Sequence, residues 1–88
     1  MSEPQGYEIR LKASAERELS GLSVSIHDRV VSALVRLEIR PRPRGTKKLR
    51  GTNEYRIRVG SYRVLYTVDD HHRIVEIVAV GDRKDVYR

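Results

Sequence analysis

The chain contains no cysteine among its 88 residues. That excludes a disulfide framework, a thiolate metal site and a cysteine nucleophile, and leaves packing alone to hold the protein together. The first six residues, Met1 to Gly6, are polar and lack the apolar core of a secretion signal, and no apolar run approaches membrane-spanning length. The sequence thus reads as soluble and cytoplasmic, with no membrane partner. Length is limiting too: 88 residues leave room for a single domain, 1–88, with a thin core.

Acidic residues are outnumbered. Lys and Arg total 18 against 12 Asp and Glu, a formal charge of +6, which points to a polyanionic partner such as nucleic acid; an acidic protein would satisfy the same charge. Histidine is sparse, with His27 alone in a helical stretch and His71 and His72 adjacent in a polar turn. Neither spacing suits a metal site or a general base, so no metal and no cofactor are expected.

The pattern of apolar residues predicts an α+β fold. Tyr7, Ile9 and Leu11 alternate with Glu8, Arg10 and Lys12 as a first strand. Ser14 is a candidate cap for a short helix with an apolar stripe of Ala15, Leu19 and Leu22, stopping at Gly21. A second helix starts at Ser23 or Ser25, with Ile26, Val30, Ala33, Leu34 and Leu37 on one buried face. Arg40-Pro41-Arg42-Pro43-Arg44-Gly45 ends it, because each proline disfavours helix at the residue before it and removes a backbone donor. A basic loop with Lys47, Lys48 and Arg50 follows, and reads equally as a solubilising linker or as an RNA-backbone contact.

Tyr55 to Tyr66 is the informative stretch. Tyr55, Ile57 and Val59 alternate with Arg56 and Arg58, and Tyr62, Val64 and Tyr66 alternate with Arg63 and Leu65, around a Gly60-Ser61 turn with glycine first, as type II′ requires. A two-residue loop pairs Val59 with Tyr62, Arg58 with Arg63, Ile57 with Val64 and Arg56 with Leu65. Arg56, Arg58 and Arg63 then share one face, with the tyrosines on the face the helices cover. Like charges directly opposite are destabilising, so the arrangement suits either bulk water or an anion held between the guanidiniums. For Arg56 and Arg58 alone a solvated outer face is the simpler reading; Arg63 opposite Arg58 tilts toward the anion.

Asp69 to His72 reads as a turn and Arg73 to Val80 as a final strand. An even loop sends Val75, Ile77 and Ala79 to the apolar face and Glu76 to the arginine face, beside Leu65 and diagonal to Arg63. The predicted order is β-α-α-β-β-β plus a short C-terminal tail, two helices packed on one face of an antiparallel meander, the arginine face left open.

Lys48-Leu49-Arg50-Gly51, the block Tyr55 to Tyr66, and Val80-Gly81-Asp82-Arg83 with Val86-Tyr87-Arg88 resemble the RelE toxins of type II toxin–antitoxin pairs, within the wider RelE/ParE superfamily. The resemblance covers nearly the whole chain. It implies a single RelE-like domain acting as a ribosome-dependent endoribonuclease, an mRNA interferase that cleaves messenger RNA in the ribosomal A site. Attack would be by a ribose 2′-hydroxyl on the adjacent phosphodiester, without metal. It further implies a cognate antitoxin as partner beside ribosome and mRNA. By the same resemblance Arg63 and Arg83 contact the scissile phosphate and Tyr87 lies near the attacking hydroxyl. Arg56 and Arg58 stand where family members often have lysine. A guanidinium keeps its charge, so these two suit electrostatic stabilisation better than proton transfer. Tyr87 would serve as base only if neighbouring cations lowered its pKa from about 10. Two alternatives stand beside this reading: a ParE-like inhibitor of DNA gyrase, and a non-catalytic nucleic-acid-binding domain.

Overall fold

The structure, a computed structural model, describes residues 6–82. In chain order the elements are β1 (Glu8–Leu11), α1 (Ala13–Ser20), α2 (Val24–Leu37), β2 (Lys47–Lys48), β3 (Glu54–Val59), β4 (Tyr62–Asp69) and β5 (Ile74–Asp82). The strands form one sheet ordered β1-β5-β4-β3-β2. The meander β3-β4-β5 is antiparallel as expected, while β1 lies parallel to β5, which makes the sheet mixed. Lys47 and Lys48, expected in a loop, form the additional edge strand, pairing with Arg56 and Tyr55.

Helix α2 starts at one of its two expected positions, with Ser23 as N-cap, whereas α1 starts ahead of the predicted cap Ser14. Helix α1 begins at Ala13 with Lys12 in the capping position, so Ser14 lies inside its first turn; α2 begins after Ser23, whose side chain makes no capping hydrogen bond. Their apolar stripes are the expected ones. Ala15, Leu19, Val30, Ala33, Leu34 and Leu37 pack with Ile57, Val59, Val64, Tyr66, Val75, Ile77 and Val80 in one core, with Leu22 and Ile26 at its margin. Residues three, four and seven apart on α2 fall on one side of the helix, and alternate residues of the strands fall on one side of the sheet, so burying both stripes requires this two-layer arrangement.

Two details of β5 differ from the sequence expectation. The β4–β5 turn has the expected even length of four residues but lies one residue later, at 70–73, with Asp69 pairing with Ile74. The Asp69 carboxylate braces this turn, accepting from the His72 backbone N–H at 3.0 Å and lying 2.8 Å from the His72 ring nitrogen. Glu76 is therefore opposite Thr67 on one side and Arg10 on the other, far along the face from Arg63. The second detail is a bulge: Tyr66 pairs with Ile77 but Leu65 pairs with Ala79, leaving Val78 as the extra residue. One extra residue reverses the alternation, so Val80, 2 % exposed, takes the core position expected for Ala79. Beyond Leu11, β1 no longer lies beside β5, and the Val80 N–H donates instead to the Glu18 carboxylate of α1 at 2.8 Å.

Candidate functional site

The β3–β4 register is the expected one, Arg56 opposite Leu65, Arg58 opposite Arg63 and Val59 opposite Tyr62. Gly60 has φ 62°, and Ser61 is not among the residues of positive φ, in keeping with a type II′ turn. Across the sheet, Lys47, Arg56, Leu65 and Ala79 form one row on the face away from the helices, and Arg58, Arg63 and Gly81 form the next. Gly81 presents no side chain beside Arg63.

The three arginines are not equivalent. Arg58 is exposed and Arg56 half-buried, whereas Arg63 is only 7 % exposed, as is Leu65 on the same face. That face is thus less open than the sequence implied. Arg83 and Tyr87 lie outside the described residues; the described chain ends with Gly81 opposite Arg63 and Asp82 opposite Tyr62. Of the basic-loop residues, Lys47 joins Arg56, while Lys48 pairs with Tyr55 and Arg50 lies between β2 and β3, neither lining a cleft.

A cleft of about 490 Å³ opens at the edge of β3 where β2 stops, lined by Arg36, Arg44, Lys47, Arg56 and Arg58. A neighbouring cleft of about 360 Å³ continues past Arg58 to Arg29 and the Gly60 turn. Arg29 and Arg36 were not singled out from sequence. They sit seven apart on α2, two turns along one side of the helix. The helical periodicity contained that signal, but it does not say which polar flank faces the edge of the sheet.

Arg42 faces elsewhere. Its guanidinium grips Asp70 through two hydrogen bonds of 3.2 and 2.8 Å, donates to the Tyr55 hydroxyl at 3.1 Å and lies 5.0 Å from that ring's centre. Tyr7 donates to the same Asp70 carboxylate at 2.7 Å. Tyr66, fully buried and stacked on Tyr55 at 5.8 Å, donates to the Pro41 carbonyl at 2.7 Å. Hydrogen bonds from Arg42 and then from Tyr7 hold the Asp70 carboxyl down at about 2, and the bond to Asp70 raises the Tyr7 pKa; burial raises that of Tyr66. The cluster pins the Pro41–Pro43 segment, from which the chain leads directly to Arg44 and Lys47 in the cleft wall. No group of His, Asp or Glu suited to hold a metal occurs among the described residues. No helix among them is long and apolar enough to cross a membrane.

Comparison with known proteins accords with this geometry. The family model of ParE toxins of the type II toxin–antitoxin system parDE matches residues 9–87. Toxin RelG of Mycobacterium tuberculosis is 36% identical over 86 residues, covering 93% of this chain and 97% of that protein. Among solved structures, the toxin–antitoxin complex RelBE2 from M. tuberculosis superposes with a TM-score of 0.80 at 34% identity, covering 89% of this chain and 99% of that one. The archaeal RelE–RelB complex from Pyrococcus horikoshii OT3 gives 0.81 at 28% identity, covering 92% and 99%. The family-model match over residues 9–87, the 36% identity to RelG over nearly the full length of both chains, and a two-helix, five-stranded fold that superposes on a chain of the RelBE2 complex make this chain a type II toxin of the RelE/ParE superfamily.

Proposed function

We propose that the protein is a RelE-like mRNA interferase, cleaving messenger RNA in the ribosomal A site, and that a cognate antitoxin chain neutralises it. The observation that carries this reading is Arg58 directly opposite Arg63 across β3 and β4, with Arg56 and Lys47 in the adjacent row. In the proposed reaction the ribose 2′-oxygen attacks the adjacent phosphorus, the bond to the 5′-oxygen breaks, and the products are a 2′,3′-cyclic phosphate and a 5′-hydroxyl. The 2′-hydroxyl proton leaves to a base, and the leaving 5′-oxygen takes up a proton. Negative charge builds on the phosphorane oxygens, and guanidiniums already held in place stabilise it more than the ground state. Arg63 and Arg83 are assigned to the scissile phosphate, Arg56 and Arg58 to supporting charge, and Tyr87 to the attacking hydroxyl. Similarity to RelG and to RelE-containing complexes supports the assignment.

Primer extension on translating ribosomes tests it. Wild-type protein is expected to give new strand ends within A-site codons, and Arg63→Ala and Arg83→Ala to lose them. No cleavage by wild type, or undiminished cleavage by both variants, overturns the reading. Expression with and without the adjacent open reading frame tests the antitoxin, growth arrest relieved by the neighbour being the expected result. A second reading, inhibition of DNA gyrase, is favoured by one observation, that the matched family model is that of ParE toxins. Loss of gyrase supercoiling on adding the purified protein, with messages intact, would select it.

A further inference from the structure

Arg10 and Arg42 each hold a carboxylate. Among the described residues Arg29, Arg36, Arg44, Lys47 and Arg58 form no ion pair, yet they converge on two clefts that share Arg36, Ala33 and Arg58. No lining residue of either cleft is acidic. Concentrating unneutralised cations along one groove costs self-repulsion, which a bound polyanion reverses. The shape follows from α2: Ser32 and Ala33, between Arg29 and Arg36 on the same side of the helix, are small and leave the floor low. At its far end the Arg29 guanidinium rests over the hairpin turn, 3.3 Å from where a side-chain carbon on Gly60 would lie. The groove therefore runs from Arg44 and Lys47, past Arg58, to Arg29.

We propose that this groove is a second RNA-backbone track, in which Arg29, Ser32 and Arg36 hold phosphates of the same strand that Arg56 and Arg58 engage at the candidate site. The proposal rests on the ribonuclease reading for the identity of that strand. Its warrant is continuity, since Arg58 lines both clefts and belongs to the arginine pair. Guanidinium and hydroxyl groups are the usual phosphate donors; such contacts position a strand without reading its sequence. A track outside the scissile position would supply affinity and register, which places Arg29 and Arg36 as positioning residues.

The test is fluorescence anisotropy of a 2′-O-methyl RNA oligonucleotide, which binds but offers no attacking hydroxyl, titrated with salt against the full-length protein. Removing two phosphate contacts from a single strand lowers the magnitude of the slope of log K against log salt by about 1.4. Arg29→Ala with Arg36→Ala is expected to show that change and a roughly ten- to hundredfold loss of low-salt affinity at unchanged Tm. Lys12→Ala with Arg17→Ala, which removes the same charge from the α1 side, is expected to leave the slope alone. Both arginines are exposed; if the alanine pair fails to fold, Arg29→Gln with Arg36→Gln replaces it. Equal slopes for wild type and the arginine variant, an equal change in both charge-matched variants, or no binding by wild type overturns the proposal. So does loss of poly-glutamate binding with the RNA slope intact, which would assign the groove to an acidic protein. A slope change without ribosomal cleavage by wild type would leave the track standing and remove the ribonuclease reading.

Discussion

Arg63 is the residue on which sequence and structure converge. Its position opposite Arg58 was legible from period-2 alternation and the Gly60-Ser61 turn, since a two-residue loop admits one register. Its burial was not legible, because alternation gives the face of a strand and not what lies over that face. Burial sharpens the expectation for Arg63→Ala, which removes a cation held in a low-dielectric setting. Single-turnover cleavage on programmed ribosomes is expected to fall about 10²- to 10³-fold, the usual loss when one preplaced donor is removed. Arg63→Lys is expected to fall between the two, since it keeps the charge but not the planar fork. Arg58, exposed and at the edge, is expected to tolerate lysine with a smaller loss in the same assay.

At the scale of elements, the β3–β4 hairpin depends on its turn. An L-residue at Gly60 would meet both a positive φ of 62° and the Arg29 guanidinium. Gly60→Ala is expected to cost about 1–2 kcal/mol, lowering Tm by roughly 5–10 °C for a domain of this size. Gly21 caps α1 at φ −83° with no closer neighbour than 3.7 Å, so Gly21→Ala is expected to move Tm little in the same calorimetric scan. Helix stripes were legible because Val30, Ala33, Leu34 and Leu37 repeat with the helical period. The bulge at Val78 was not, because the sequence Ile77-Val78-Ala79-Val80 is apolar throughout and carries no alternation from which an extra residue can be read. Tyr66 against Ile77 and Val64 against Val80 in one core decided it.

For the whole molecule, the Arg42–Asp70–Tyr7–Tyr55 cluster ties the β4–β5 turn to the segment after α2. Asp70 is held at about 2 in the folded protein, below its ordinary value of about 3.9. A depressed carboxyl stabilises the fold above the unfolded value and loses that contribution as pH falls from about 4 through about 2. Chemical denaturation across that window is expected to give a shallower acid limb for Asp70→Asn than for wild type, the two curves running parallel above pH 5. Displacement of the pinned segment should also weaken RNA binding through Arg44 and Lys47, measurable with the same oligonucleotide. What the sequence determined by itself was local: which residues form the two helices and the four longer strands, the hairpin register, and the one-sided arginines, all consequences of periodicity and turn chemistry that act within a few residues. Only the tertiary structure decided the parallel pairing of β1, the partner of Arg42, and the meeting of Arg29 and Arg36 with Arg58. Those pairings join residues far apart in the chain, and they follow from burying two helices on one face of a sheet, a condition that no short window of sequence contains.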